Sequence, residues 1–469
     1  MNRLHLISGF FIINLVSLSC VIFAQTAAPT QDLDQIGTIV AQTVEAKSLP
    51  TSNQDPTATD TVIASTQIPQ PTQADASTLR VAYLDGSRNL WLWTEAGNSI
   101  PLDQSGEVTS SKISPDGSMV MFLRSPDYVH YSLWVVNTDG SGLRELVSQS
   151  QFNEILTNPG IIGLSPADME YASAVSPYQI DWIPGENILV YNTSPKYEGP
   201  GLKIHNDLWK MNPQTGERTL LLMAGEGGNF YYSPDGQQVA LVTSEEISLI
   251  NADLSNRRDA VLKFKPVITY SEYQYYPTPT WSPDSTHLLV DIPPEDPMKQ
   301  PPEPTSIYRI PVDGNQATLL SSKNTNFLEE INFSPDTAKM AYLTREGPAE
   351  NDLQALHIAN IDGSGDTIHE TGNLRFAGWS PDSSHFILTM PDGGNPRIGQ
   401  VVKSSQPIQD ISTAHNMQWV DAERFLFLGK NDQNWQLRLG YLDGTSGQIT
   451  DFGEMTDVFW LDASFSIAE

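Results

Sequence analysis

The chain has 469 residues, of which 39% are hydrophobic and 17% charged, and 26 Lys and Arg against 56 Asp and Glu give it a formal net charge of −30. This length permits a large buried core, and an aromatic share of 9% with 10 Trp excludes a disordered chain. The acidic balance argues against nucleic acid or anionic lipid as a partner, because like charges repel.

The first 24 residues predict an export signal. Arg3 precedes an uncharged run from Leu6 to Ala24, which ends on a small residue suited to cleavage. An uncleaved membrane anchor is an alternative, since a span needs roughly 20 apolar residues. Lipidation at Cys20 is another, although the residues before it fit poorly with lipoprotein signals. In all three cases the rest of the chain is exported, to the periplasm, the cell surface or the medium.

Residues 25–78 predict a flexible linker. They are rich in Thr, Gln, Pro, Ala and Ser, contain no aromatic residue and carry one cation, Lys47. Such a segment buries too little apolar surface to offset the loss of chain entropy. We interpret it as a stalk between the N-terminus and a folded body.

Residues 79–469 repeat one motif, in which an apolar or aromatic residue is followed by Ser-Pro-Asp and then Gly, Ser or Thr. Successive copies are 40 to 69 residues apart, a period typical of repeat architectures. Five copies are complete, and they begin at Ile113, Tyr232, Trp281, Phe333 and Trp379. Three are degraded, and they begin at Trp182, Trp419 and Trp460.

Each copy predicts a meander of four strands, a to d. Two β-rich runs follow the motif, then a tight turn that is usually Asp-Gly, then a last short strand. Pro presets φ for a β-turn, Asp accepts backbone hydrogen bonds, and Asp-Gly is a strong hairpin signal. We interpret the leading residue as a core residue at the end of strand a and not as part of a ligand cage.

Four-stranded units of this size predict an all-β fold, a β-propeller, with a solenoid as the alternative. The first unit, from Leu79, has runs for strands b, c and d but none for strand a. The end of the chain, 456–466, resembles a lone strand a. Pairing of the N- and C-terminal strands would close a ring and hide its sheet edges. We therefore expect eight blades, or seven if one degraded copy is not a blade.

The repeated Trp/Phe-Ser-Pro-Asp-Gly unit with its later Asp-Gly resembles the WD40-like repeat of the TolB family. It is also similar to repeats in the propeller domains of prolyl oligopeptidase and dipeptidyl peptidase IV relatives. The resemblance covers nearly all of residues 79–469 and implies a propeller. It implies little about function, because the shared residues are structural.

The long insertions are all b–c or d–a connections, which turn at the same rim of a blade. They span 125–131, 194–206 and 293–305 between strands b and c, and 148–177 and 265–279 between strands d and a. We expect all five on one face of the disc, where loops on a rigid scaffold carry function. Aromatic residues concentrate there and predict a surface for a protein or cell-envelope ligand, although each ring could instead pin its loop to the disc. These candidate residues are Tyr128, His130, Tyr131, Tyr178, Tyr197, His205, Tyr270, Tyr273, Tyr275 and Tyr276.

No catalytic motif stands out in the sequence. It lacks a Gly-x-Ser-x-Gly elbow, His-Glu-x-x-His and a phosphate-binding Gly-x4-Gly-Lys-Ser/Thr loop. The segment from Asp362 to Asp366 resembles the start of a calcium loop, but Asn373 stands where an EF-hand needs Glu, so a c–d hairpin is the better interpretation. The eight His form no metal spacing, and the single Cys excludes an intramolecular disulfide, a thiolate zinc site and an iron–sulfur cluster.

These observations predict an exported, monomeric, non-enzymatic propeller without a cofactor or metal. The alternatives are a propeller enzyme whose central funnel acts on glycan or peptide through a carboxylate pair, and a surface structural component without a dedicated ligand.

Overall fold

A computed structural model describes residues 79–157, 172–197, 204–271, 273–325, 330–345, 353–390, 394–431, 433–454 and 463–467. Within these ranges there are 32 β-strands and one α-helix, and the strands form eight antiparallel sheets of four strands each. The eight-bladed propeller is thereby confirmed. The export signal (1–24) and the linker (25–78) lie outside the described residues and stay predictions.

Blade 1 joins the two ends of the folded region. Its strands, from the outer edge inward, are β3 (Ser99–Asp103), β2 (Leu90–Thr94), β1 (Leu79–Leu84) and β32 (Ala463–Ile467). β1 pairs with β32 in antiparallel register, with Val81 opposite Phe465. The predicted closure is therefore confirmed: the C-terminal strand supplies the strand a that the first unit lacks.

The remaining blades are continuous meanders in which strand a is innermost. Blade 2 comprises β4 (Val108–Ile113), β5 (Met119–Arg124), β6 (Ser132–Asn137) and β7 (Arg144–Val147). The helix α1 (Gln149–Thr157) precedes blade 3, which comprises β8 (Ala172–Trp182), β9 (Leu189–Tyr197), β10 (Leu208–Met211) and β11 (Arg218–Leu222). Blade 4 comprises β12 (Asn229–Tyr232), β13 (Gln238–Val242), β14 (Glu246–Asn251) and β15 (Arg258–Lys263).

The second half of the ring repeats this order. Blade 5 comprises β16 (Thr280–Trp281), β17 (His287–Ile292), β18 (Thr305–Pro311) and β19 (Thr318–Lys323), and blade 6 comprises β20 (Asn332–Phe333), β21 (Lys339–Arg345), β22 (Gln354–Asn360) and β23 (Thr367–Gly372). Blade 7 comprises β24 (Arg375–Trp379), β25 (His385–Met390), β26 (Gly394–Gln400) and β27 (Lys403–Pro407), and blade 8 comprises β28 (Thr413–Trp419), β29 (Arg424–Asn431), β30 (Asn434–Tyr441) and β31 (Ser446–Gly453).

The core lies between blades. Each cluster of buried apolar side chains among the described residues joins two neighbouring blades. In β5, Met121 packs toward blade 3, whereas Val120 and Phe122 pack toward blade 1. Side chains alternate across a strand, so a strand b that is covered on both faces needs apolar residues at nearly every position. This explains the continuous hydrophobic runs that follow each Ser-Pro-Asp.

The Ser of the repeated turn is buried and holds it together. In blade 7, the Ser380 hydroxyl donates to Asp382 Oδ1 at 2.6 Å and accepts the backbone N–H of His385 at 2.9 Å. Asp382 Oδ1 also accepts the backbone N–H of Ser384 at 3.1 Å. The other four full copies repeat the first two bonds. The motif is thus a closed set of local hydrogen bonds that turns strand a into strand b.

The Trp residues at the end of strand a link successive blades. The indole N–H of Trp281 donates to the backbone oxygen of Tyr231 at 3.0 Å, and that of Trp379 donates to the backbone oxygen of Asn332 at 2.9 Å. Trp182 and Trp419 make the same bond to the preceding blade. These bonds fit the interpretation of the residues as parts of the packing between blades, whereas Trp460 lies outside the described residues and β32 follows it in the chain.

Two predicted loops are partly regular structure. The connection 148–177 contains α1 and the start of β8, and 194–197 continues β9. β8 and β9 pair as far as Ala172 and Tyr197. Asn153 on α1 accepts the Val175 backbone N–H at 2.9 Å and holds the helix against this extension. Sequence periodicity did not indicate a helix in this connection.

Candidate functional site

The described parts of the b–c and d–a connections leave the strands at one face of the disc, which we call the loop face. Two long loops meet there directly: the Ile268 backbone N–H donates to the backbone oxygen of Glu295 at 2.8 Å, and the Tyr270 hydroxyl donates to Asp296 Oδ1 at 2.6 Å. Lys265 also pairs with Glu295. The d–a loop before blade 5 and the b–c loop of blade 5 therefore form one connected surface.

A cavity of about 480 Å³ opens beside these two loops. Its walls include Tyr270, Tyr273 and Tyr275, with Gln274 and Thr269 as polar groups and Val267 as an apolar one. Tyr270 and Tyr273 are 57% and 51% exposed. Three of the ten predicted site residues thus line one concave surface of a size typical of ligand pockets.

Tyr275 and Tyr276 are both half-buried, and of the two only Tyr275 lines the cavity. Burial raises the pKa of Tyr276 to about 12, and its hydroxyl donates to Gln274 Oε1 at 3.0 Å. Burial, and then the charges of Asp291 and Glu330, raise the pKa of Tyr275 far above its usual range. The Tyr275 hydroxyl is buried and has no hydrogen-bond partner among the described residues. This side chain therefore brings an unsatisfied polar atom to the inner side of the aromatic wall.

A second cavity, of about 240 Å³, lies along the inner strands of blades 5 to 7. It is lined by two carboxylates, Asp291 and Glu330, together with Thr280, Asn332 and Trp379. Asp291 is 2% exposed, and its Oδ2 accepts the Ile331 backbone N–H at 3.2 Å. Burial, with a smaller effect of the Glu330 charge, raises the pKa of Asp291 to about 7. This carboxyl group therefore exchanges its proton near neutral pH.

The sequence analysis did not identify Asp291 or Glu330. A signal was present for the former, because among the hydrophobic strand b runs only that of blade 5, His-Leu-Leu-Val-Asp-Ile, contains an acid. A carboxylate in a strand that is buried on both faces is costly unless it is paired or serves a function. Glu330 carried no comparable signal, since it belongs to a polar connection.

Tyr128, His130 and Tyr131 form a separate cluster at blade 2. The Arg88 guanidinium lies 4.5 Å from the ring centre of Tyr128, which is 40% exposed, and His130 Nδ1 is 2.6 Å from Asp127 Oδ2. The Tyr131 ring packs against the core and the Lys196 ammonium lies 5.5 Å from its centre. These contacts fit rings that fasten a loop as well as they fit a recognition surface.

The three residues of blade 3 differ from one another. Tyr178 is 40% exposed, and burial of the rest of the ring raises its pKa. Tyr197 pairs through its backbone with Ala172, and its side chain lies outside the described residues. His205 is 5% exposed, and its Nδ1 is 2.6 Å from the Thr193 hydroxyl, which also donates to the buried Asp207 at 2.7 Å. The expectation of a surface position for His205 is therefore wrong, because the side chain completes a buried polar network.

The calcium-loop resemblance at Asp362 to Asp366 is explained by the c–d hairpin of blade 6. Asp362 Oδ1 accepts the backbone N–H and the hydroxyl of Ser364 at 2.9 and 2.6 Å. Asp366 contacts Lys323, Tyr342 and His357. Both carboxylates are thus engaged by protein groups, and no set of three His, Cys, Asp or Glu side chains suited to a metal occurs in the described ranges.

Helical structure long and apolar enough to cross a bilayer does not occur in the part of the chain that the structure describes. No protein-family model and no curated protein matches the sequence significantly.

Solved structures similar to the chain share its fold at low sequence identity. A eukaryotic initiation factor is 13% identical with a TM-score of 0.47, over 80% of this chain and 96% of its own. TolB from Acinetobacter baumannii is 15% identical with a TM-score of 0.32, over 63% of this chain and 64% of its own. A prolyl endopeptidase is 16% identical with a TM-score of 0.40, over 66% of this chain and 48% of its own. TolB and peptidase propellers, which the repeat motif resembles, are thus among the structures similar to this chain, and the likeness lies in the β-propeller fold.

Proposed function

We propose that the chain is an exported, monomeric, non-enzymatic propeller that binds a protein or a cell-envelope ligand through its loop face. The observation that carries this proposal is the 480 Å³ cavity that the d–a loop before blade 5 forms together with Ser244, with tyrosines along its wall. Hydrogen bonds join this loop to the b–c loop of blade 5. The N-terminal signal and the net charge of −30 support export and a partner that is not a polyanion.

The cavity suits recognition for two physical reasons. Tyr270 and Tyr273 offer apolar area with a polar tip, and a tyrosine loses little conformational entropy on binding. The hydrogen bonds between the two loops hold them in place before a ligand arrives, which reduces the entropic cost of association.

The test asks whether a variant that lacks the two exposed tyrosine rings still captures the ligand. The double variant Tyr270→Ser, Tyr273→Ser is compared with the wild type in a pulldown from cell-envelope extract, and the captured component is identified and titrated. We expect the affinity to fall by at least tenfold, since two exposed interface tyrosines contribute roughly 1 kcal/mol or more each.

The matched control is Tyr441→Ser. Tyr441 is 39% exposed and ends the strand that leads into the c–d turn of blade 8, on the face opposite the loop face. Capture that survives the double variant, or that Tyr441→Ser reduces equally, would contradict a binding role for the cavity.

A second candidate function is an enzyme with its site in the funnel, favoured by the pair of Asp291 and Glu330. A carboxyl group with a pKa of about 7, as in Asp291, can donate a proton near neutral pH, and a second carboxylate in the same cavity can act as base or nucleophile. Incubation with oligosaccharides and peptides, followed by mass spectrometry of the products, tests this. Turnover that Asp291→Asn abolishes would establish the enzyme and replace the first proposal.

A further inference from the structure

The smaller cavity contains negative charge that nothing in its wall compensates. None of its lining residues is Lys, Arg or His. Neither Asp291 nor Glu330 forms an ion pair among the residues that the structure describes. The buried Asp103, in contrast, pairs with Arg124, and the buried Asp207 accepts hydrogen bonds from Thr193 and Trp209 on its two carboxylate oxygens. Asp291 is buried and within the described ranges accepts only the Ile331 backbone N–H, so its ionised form is costly, and a positively charged occupant would stabilise that form.

An aromatic ring completes this environment, because Trp379 lines the cavity together with the two acids. Ring faces attract organic cations, and the attraction is strongest where water is excluded. The oxygens of Thr278, Thr280 and Asn332 in the same wall can accept hydrogen bonds from N–H groups.

The same features argue against a metal ion. A hard divalent cation takes six or more oxygen ligands, whereas this wall offers two carboxylates, and no three-residue ligand set exists in the described part of the chain. The volume of about 240 Å³ is below that of a pocket for a whole drug-sized ligand, so it fits one side-chain-sized group.

We propose that this cavity binds the alkylammonium or guanidinium group of a Lys or Arg side chain presented by a protein that docks on the loop face. The inference rests on the proposed function and names the chemical group that the partner presents. Glu330, which lies where the chain enters blade 6 from the loop face, meets the cation first, and Asp291 pairs with it at depth.

Binding is then coupled to a proton. Asp291 is neutral in the free cavity below about pH 7, and a cation favours its ionised form, so the proton leaves as the cation enters. The titratable groups whose charges act on Asp291 or feel its charge are Glu330 and Tyr275, and the raised pKa of Tyr275 keeps its hydroxyl protonated across this range. Cation binding therefore strengthens from pH 6 to pH 8. The enzyme hypothesis predicts the opposite, since Asp291 acting as a general acid must keep its proton when the substrate binds.

The test uses the full chain and two blocked pentapeptides, acetyl-Gly-Gly-Lys-Gly-Gly-amide and its norleucine counterpart, titrated by NMR at pH 6 and pH 8. We expect the Lys peptide to bind at least tenfold more tightly than the norleucine peptide at pH 8 and to weaken about tenfold at pH 6. Asp291→Asn and Glu330→Gln should each remove most of this preference. Glu330 is exposed, so Glu330→Gln keeps the test valid even if Asp291→Asn folds poorly.

Glu217→Gln is the charge-matched control, because Glu217 is exposed in the c–d turn of blade 3 and should not affect the titration. Equal affinity for the two peptides, or no effect of either cavity variant, would overturn the inference. Binding of Ca²⁺ or Mn²⁺ that Glu330→Gln abolishes, without binding of the Lys peptide, would also overturn it. If the Lys peptide does not bind more tightly than the norleucine peptide while partner capture still depends on Tyr270 and Tyr273, only this inference is wrong. If capture is also independent of these tyrosines, the proposed function falls as well.

Discussion

The fifth residue of the repeated turn has a left-handed backbone whichever side chain it carries. φ is 68° at Gly117, 58° at Ser285, 56° at Thr337 and 62° at Ser383. Glycine adopts this conformation freely, whereas a β-branched residue is strained in it. Thr337 is therefore the least favourable of these residues for its position.

We predict that Thr337→Gly raises the free energy of unfolding by about 1 kcal/mol, because relief of left-handed strain outweighs the added freedom of the unfolded chain. Chemical denaturation measures the change. Ser383→Gly is the comparison: its hydroxyl accepts the Asp336 backbone N–H at 3.0 Å, so the gain there should be smaller. Equal or reversed effects would contradict this account.

The two kinds of Asp in this molecule predict opposite pH effects on stability. Asp291 has a pKa of about 7 when folded, above the ordinary value of 3.8, so the unfolded chain loses this proton first and stability falls as pH rises from about 4 to 7. Hydrogen bonds from Ser282 and Thr286 lower the pKa of Asp284 to about 2, so its contribution is lost only as pH falls from about 4 toward 2.

We expect the free energy of unfolding of Asp291→Asn to rise relative to that of the wild type as pH increases from 4 to 7. The upper limit is about 1.4 kcal/mol for each unit by which the pKa of Asp291 differs between the folded and the unfolded chain. Asp284→Asn should differ from the wild type in pH dependence only below about pH 4. Denaturation at a series of pH values measures both, and a flat difference for Asp291→Asn above pH 4 would be inconsistent with a raised pKa.

At the scale of the element, each Trp that ends a strand a donates to the innermost strand of the preceding blade. Trp379→Phe keeps the ring but removes the donor to the Asn332 backbone oxygen, so we predict a loss of about 1 kcal/mol and faster hydrogen exchange in blades 6 and 7. Trp134→Phe is the control, because the Trp134 indole donates to Ser132 within its own blade. Exchange that accelerates equally in both variants would show that the bond between blades has no special role.

At the scale of the whole molecule, stability depends on closure. Deletion of 463–469 removes β32 and leaves the inner edge of β1 unpaired, so we predict lower unfolding cooperativity, greater protease sensitivity and self-association through that edge. Size-exclusion chromatography and limited proteolysis measure these effects.

Arg424→Gln is the milder variant for comparison. It keeps β32 but removes two ion pairs of Arg424, one with Glu95 at 3.0 Å, which joins blade 8 to blade 1, and one with Asp421 at 2.7 Å within blade 8. Partly exposed pairs contribute roughly 0.5 kcal/mol each, so their loss should change stability little. A truncated chain as stable and monomeric as Arg424→Gln would show that the ring does not need its closing strand.

The fold could be predicted from sequence because the signals that specify it are local and repeated. Ser380, Asp382 and their counterparts in other blades bond within a few residues of themselves, so each copy reports the same turn without reference to the rest of the chain. The missing strand a at the beginning and the extra strand at the end then determine closure by simple counting. The helix in 149–157 escaped prediction because it is short and is held by contacts to β8, which sequence periodicity does not contain.

The sequence by itself therefore determined the four-stranded blades, the closure of the ring and the rim at which the long loops leave the strands, and it favoured eight blades over seven. Only the tertiary structure decided that Tyr270, Tyr273 and Tyr275 share one cavity, that His205 is buried, and that Asp291 and Glu330 line another. The physical reason is the distance along the chain between the residues involved. A turn or a strand is specified by neighbours in the chain, whereas the larger cavity depends on the path that one long loop takes, and the smaller cavity is formed by residues of blades 5 to 7 that meet only after the blades have packed.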